Sequence, residues 1–144
     1  MENEKHFRKL ERMYLGAPVN RYYLPTIQIG AGSAQVAIQV RSDLFHAAHA
    51  VHGVVYFKVL DDAAFFAANS LVEDVFVLTV SLNVYLTRPI SEGVIAATGR
   101  VVHSSRRLII AEAEAVDGEG RPLARGTGTF MRSNIALTPE IGYQ

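Results

Sequence analysis

Two adjacent carboxylates, Asp61 and Asp62, interrupt a stretch that is otherwise oily. From Gly53 to Ala68 the sequence GVVYFKVLDDAAFFAA is polar only at Lys58, Asp61 and Asp62. An unpaired carboxylate removed from water costs several kcal/mol, so its presence there needs a reason. Desolvation also raises a carboxyl pKa toward the range useful to a general base, which makes proton abstraction or nucleophilic attack the chemistry on offer. The competing reading is an internal ion pair. Lys58 stands three residues before Asp61 and four before Asp62, and both spacings meet on a helix. Periodicity does not choose between the two acids. A second constellation, His46, His49 and His52, invites a metal. On a helix, however, the first and third would point about 120° apart, and no acidic or cysteine ligands accompany them at a standard spacing. No metal site is expected.

The elements that must position these groups follow from the pattern. A helix apolar on all sides belongs inside a protein, and a run of this length without Pro or internal Gly predicts a long buried helix rather than a strand. Residues 2–15 read as a short amphipathic helix, with Phe7, Leu10, Met13 and Tyr14 on one stripe and Gly16-Ala17-Pro18 as its stop. Thr26–Ile29 and Gln35–Arg41 read as strands around the turn Gly30–Ser33. After the central helix the period becomes 2. Val77–Arg88 alternates, with Leu78, Val80, Leu82, Val84 and Leu86 on one face and Thr79, Ser81, Asn83, Tyr85 and Thr87 on the other. Val94–His103, Arg107–Val116 and Pro122–Arg132 follow, separated by turns at 91–93, 104–105 and 117–120. Gly126 and Gly128 in the last strand predict close approach by another backbone. The tail, Ser133–Gln144, has no clear period. The expected architecture is α+β: a single long helix wrapped by a five- to six-stranded antiparallel sheet, with a short N-terminal helix. The helix's other flank needs a cover, which points to a dimer or larger assembly.

Composition limits the alternatives. Residues 1–144 are expected to form a single domain; 49% hydrophobic and 19% charged residues describe a chain with a generous core. Lys and Arg number 14, as do Asp and Glu, so no net field attracts nucleic acid or anionic lipid. The absence of Cys removes disulfides, thiolate metal sites and a cysteine nucleophile. The start, MENEKHFRKLERM, is too charged for a signal peptide, and no apolar run escapes charge long enough to span a membrane. A cytoplasmic protein is expected.

Four blocks, in order, carry a resemblance. HGVVYFKVLDDAA resembles the HGG-x4-L-x-D-x-A signature of the PaaI-type acyl-CoA thioesterases, a branch of the hotdog-fold superfamily. The strand TVSLNVYLTRP is similar to that family's N-x-x-Y-L-x-P sequence, VVHSSRR to its V-V-H-x-G-R-R hairpin, and GTGTF to its closing strand. Together they cover roughly residues 35–131. The resemblance implies hydrolysis of an acyl-CoA thioester to a carboxylic acid and free coenzyme A, without cofactor or metal. It also implies a homodimer, or a homotetramer built as a dimer of dimers, with active sites at the subunit interface.

Residue by residue, the resemblance assigns roles. The family's carboxylate lies eight residues after the glycine, which is Asp61 as base or nucleophile. Gly53 opens the helix, where an unpaired backbone N–H and a partial positive charge stabilise an oxyanion. His52 orients rather than reacts. Val54 replaces the family's second Gly and narrows the entrance for the acyl group. His46 stands where relatives carry Asn or Gln that polarises the carbonyl. Thr79 matches a Ser/Thr that assists the attacking water. Asn83 is assigned to the pantetheine arm, and Arg106 or Arg107 to the coenzyme phosphates, with alternation along a strand allowing only one of the two in any groove. Two rival readings share the fold. One is an acyl-CoA hydratase or dehydratase with His46 and Asp61 as acid and base; the other is a non-catalytic acyl-CoA binder.

Overall fold

The computed structural model describes residues 3–144. Helix α1 runs Glu4–Gly16 and the short α2 runs Asn20–Tyr23; strands β1, Thr26–Gly30, and β2, Ser33–Gln39, form a hairpin. After a 3-10 turn at Ser42–Leu44 comes α3, Gly53–Asn69. Strands β3, Val75–Leu86, β4, Val94–Ser104, β5, Ile109–Val116, and β6, Pro122–Ala136, complete one sheet, and a 3-10 turn at Pro139–Ile141 precedes the C-terminus. All pairings are antiparallel, in the order β1-β2-β4-β5-β6-β3. The helix-wrapped-by-sheet architecture expected from the pattern is therefore present. Residue 2, the first position of the expected N-terminal helix, lies outside the described residues. Among the described residues no helix is long and apolar enough to cross a membrane.

Helix α3 forms because its N-terminus is capped and its sides are buried. The His52 Nδ1 accepts from the Val54 N–H at 2.9 Å, satisfying one of the orphan donors of a helix start. Val59, Leu60, Ala63, Ala64, Ala67 and Ala68 have no exposed surface. At its far end the Asn69 side chain donates to the Val72 and Val75 carbonyls and accepts from the Val77 N–H, fixing the turn into β3. The small residues are a geometric requirement. A Cβ on Gly99 of β4 would lie 2.2 Å from the Ala63 carbonyl oxygen, so helix backbone rests directly on sheet backbone there.

Three sequence expectations change. The closest backbone approach falls at Gly99. Gly126 also meets another backbone, since a Cβ there would lie 3.1 Å from the Asn83 carbonyl oxygen, less tightly than at Gly99; at Gly128 the space is filled by the Phe130 ring and Leu82. Simple alternation along β3 also fails. Its register moves from Thr79↔Phe130 to Leu82↔Gly128 across an irregularity between Thr79 and Ser81. One extra residue in a strand reverses the faces beyond it. Thr79 consequently shares the helix-facing side with Leu82 and Val84, while Leu78 and Val80 are exposed. Finally, Arg106 and Arg107 lie together in the β4–β5 turn, closed by the Ser105 N–H on the Leu108 carbonyl. The alternation that would have separated them does not apply.

Candidate active site

The paired acids midway along α3 have different surroundings. Asp62 Oδ2 takes the Lys58 ammonium at 2.8 Å and the Tyr14 hydroxyl at 2.6 Å. Lys58 also lies over the Tyr14 and Tyr23 rings, 5.4 and 5.2 Å from their centroids, a favourable cation–π arrangement. Asp61 has neither partner. Its Oδ1 accepts one hydrogen bond, from Thr79 Oγ1 at 2.9 Å. Burial is the largest influence on its proton and pushes the Asp61 carboxyl above the ordinary range. The Asp62 charge adds to this, whereas the Thr79 hydroxyl and Lys58 oppose it. The choice that helical spacing left open is thus made by packing: Lys58 pairs with Asp62, and Asp61 is the under-partnered acid.

The Tyr14 hydroxyl is held above its usual range by burial first, then by the Asp62 charge and hydrogen bond, so it stays a donor. Sequence reasoning placed Tyr14 on the apolar stripe of the first helix and missed this second role; no local signal marks a partner 48 residues away. Asp61, Asp62, Lys58 and Thr79 open on a cavity of about 850 Å³ between α3, the end of α1 and the C-terminal segment. Its walls include Phe65, Phe66, Phe76 and Leu78.

The other expected residues lie elsewhere. At the α3 N-terminus the His52 ring caps Val54, and the Val55 N–H turns back to the His52 carbonyl. Among the described residues nothing accepts from the Gly53 N–H. Val54 is 50% exposed beside it. His46 is exposed in the preceding loop, its Nδ1 accepting from the Ala48 N–H at 3.0 Å. Gly53 and Asp61 are separated by eight residues of one helix, about 12 Å at 1.5 Å per residue. Asn83 is exposed in a cleft of about 330 Å³ with Tyr85, Arg100, Glu112 and Arg125, apart from the cavity that holds Asp61. Arg106 and Arg107 are exposed in their turn, where the Arg132 guanidinium holds the Arg106 carbonyl at 2.7 Å. Among the described residues, no three His, Asp or Glu side chains gather as a metal would require.

A family model for the thioesterase superfamily matches residues 48–124, from the loop before α3 into the start of β6. The chain belongs to the thioesterase superfamily. A Mycobacterium tuberculosis protein designated only provisionally as an esterase is 31% identical over 103 residues, covering 69% of this chain and 74% of that one. Its solved structure superposes with a TM-score of 0.76 at 26% identity, covering 81% of this chain and 97% of the other. A Saccharolobus solfataricus protein with a similar provisional designation is 28% identical over 56% of this chain, which spans about half, 54%, of that relative's length. The E. coli PaaI protein from the phenylacetic acid degradation operon superposes at a TM-score of 0.85 with 20% identity, covering 94% and 99% of the two chains. That likeness fixes the architecture as the hotdog fold. Membership of the thioesterase superfamily supports thioesterase-type hydrolysis as the general activity.

Proposed function

We propose that this thioesterase-superfamily protein hydrolyses an acyl-CoA thioester, with Asp61 as base or nucleophile. The observation that carries the reading is a half-buried carboxylate with a raised pKa and one hydroxyl partner, facing a large, mainly apolar cavity. Such a group is poised to take a proton. Water held by Asp61 and Thr79 attacks the carbonyl carbon, the proton passes to Asp61, and collapse of the tetrahedral intermediate breaks the C–S bond. Asp61 then returns the proton to the coenzyme thiolate. The Gly53 N–H, free at a helix start, stabilises the developing oxyanion.

One chain cannot do this alone, because about 12 Å of helix separates the two groups. The reading therefore needs two copies, Gly53 and His46 of one meeting Asp61 and Thr79 of the other. Support comes from β3, a twelve-residue strand at the sheet's edge with Leu78, Val80, Tyr85 and Leu86 exposed. A long apolar edge is a template for pairing with another chain, and Phe57 of α3 is also exposed. We assign a homodimer or a dimer of dimers. His46 fits as a hydrogen-bond donor to the carbonyl: since Nδ1 accepts, the neutral ring carries its proton at Nε2. Asn83, Arg106 and Arg107 are exposed and free to meet the coenzyme, the guanidinium groups its phosphates.

The test incubates the purified protein with aryl-, short- and medium-chain acyl-CoAs and follows free thiol, alongside Asp61→Asn and His46→Ala. Thiol release by wild type and at least a ~10²-fold loss in Asp61→Asn are expected. Equal release by both sinks the assignment of Asp61. Water addition across an enoyl-CoA double bond without thiol release would favour a hydratase. Saturable binding without turnover would favour a binder. A monomer by light scattering at assay concentration would refute the two-chain site.

A further inference from the structure

The two ends of the chain meet at the cavity beside Asp61. Gly142 sits at φ 92°, and a Cβ there would lie 3.3 Å from the Met13 Cα, so the C-terminal segment rests against the backbone of α1. Beyond it the Tyr143 hydroxyl meets the buried His6 Nδ1 at 2.8 Å, while His6 Nε2 donates to the Asn69 carbonyl at 2.9 Å. Arg12 Nε donates to the Gln144 carbonyl at 2.5 Å. These contacts hold residues 139–142 in the cavity wall, which Ile141 lines together with Phe65, Phe66, Leu78 and Ile135.

The charges lining it are uneven. Asp61, Asp62 and Glu140 contribute carboxyl groups, and Lys58 is the one cation among the described lining residues. Its ammonium is already held by Asp62. A substituent ending in a carboxylate would meet like charge with no free cation on this chain to receive it, whereas neutral hydrocarbon would meet aromatic and aliphatic walls.

Resting on the reading of Asp61 as the hydrolytic carboxylate, we propose that this cavity is the acyl subsite for neutral, medium-length hydrocarbon chains, and that Ile141, in the pinned C-terminal segment that lines it, is the specificity-determining residue of its wall. Tyr143 and His6 are positioning residues that hold that wall. The apolar walls reward each added methylene until the chain reaches Ile141, and the carboxylates exclude dicarboxylic monothioesters.

The test measures kcat/KM for straight-chain acyl-CoAs from butanoyl to decanoyl, and for hexanoyl- against adipoyl-CoA, with wild type, Ile141→Trp and Tyr143→Phe. Wild type is expected to gain about fourfold per methylene over the lengths the cavity holds, and to prefer hexanoyl over adipoyl at least ~10-fold. Ile141→Trp is expected to lower the decanoyl-to-butanoyl ratio at least ~10-fold by filling the space several methylenes would occupy. Tyr143→Phe is expected to flatten the length profile, with KM rising for long chains and kcat held. An unchanged ratio in a folded Ile141→Trp protein, or equal use of adipoyl-CoA, overturns the proposal. If wild type releases no thiol from any acyl-CoA, the hydrolytic reading fails by itself. The same length series read as Kd by calorimetry then decides the subsite: a length-dependent Kd that Ile141→Trp abolishes sustains it, and a flat series overturns it.

Discussion

Asp61 in the middle of α3 and Asp117 in the β5–β6 turn are both withdrawn from water, yet their protons move in opposite directions. Asp117 is 8% exposed, and burial alone would raise its pKa. The Arg121 and Glu119 backbone N–H groups, at 2.9 and 3.0 Å, and the Arg121 guanidinium at 2.7 Å outweigh that effect and hold the carboxyl below its ordinary value. Asp61 has a single hydroxyl donor, and burial wins. Removal from water is common to both. The number of donors separates a carboxylate that ties down a turn from one that is kept hungry for a proton.

The sharpest way to break this contrast is Asp61→Asn. Turnover is expected to fall at least ~10²-fold, and the variant is expected to melt at a higher temperature than wild type at pH 7. The sign follows from linkage. A carboxyl whose folded pKa is raised binds its proton better folded than unfolded, so ionisation costs stability as pH climbs from the unfolded value through the folded one. Asn has no such ionisation. Calorimetry from pH 4 to 8 should show the gap opening over that window and staying constant above it; a lower Tm for Asp61→Asn at pH 7 would contradict a strained acid.

Thr79→Val is expected to cost about tenfold in kcat/KM, the scale of one hydrogen bond to a charged group. Because the Thr79 hydroxyl lowers the Asp61 pKa, its loss should also move the rising limb of the pH–rate profile to higher pH. A drop in rate with an unmoved limb would assign Thr79 to water alone. Asp117→Ala should leave that profile untouched and lower the Tm at pH 7. Here the folded pKa is depressed, so the stabilisation is present above the unfolded pKa and lost as pH falls through the folded one. The Tm deficit should shrink on acidification within the acid range, and a deficit constant with pH would mean that Asp117 acts through packing only.

How much of this could be read beforehand divides along the same line. The period-3.6 to period-2 switch located α3 and the strands after it because each element's burial is a local property of its own residues: Ala111, Ala113 and Ala115 are buried on β5 while Glu112 and Glu114 point away. The eight-residue step from Gly53 to Asp61 came from the family resemblance and not from periodicity, which left Asp61 and Asp62 equivalent; both ends of the step sit on one helix. What stayed hidden depends on residues distant in sequence. The β3 irregularity turns Thr79 toward the helix, and nothing in TVSLNVYL marks the inserted residue, because its cause is the register with β6. Tyr14 reaches Asp62, and Tyr143 reaches His6 across 137 positions. An aperiodic tail gave no hint that it packs against the first helix. Helical spacing could offer Lys58 to either acid, and only Tyr14 and Tyr23, arriving from outside α3, settle it on Asp62.

That settlement predicts the smallest effect and the most specific one. Asp62 lies beside Asp61 and raises its pKa through charge, while Lys58, which Asp62 holds, lowers it. Asp62→Asn removes the first influence and leaves the ammonium beside Asp61 with one fewer carboxylate to neutralise it. Both changes favour ionised Asp61. The rising limb of the kcat/KM profile should therefore move to lower pH, opposite to the shift in Thr79→Val, with little change on the plateau where Asp61 is already ionised. Tyr14→Phe separates charge from hydrogen bonding: it deletes the 2.6 Å bond to Asp62 but keeps the charge next to Asp61, so the limb should stay where wild type has it. If both variants move the limb together, Asp62 acts on Asp61 by holding the α1–α3 packing rather than by its charge.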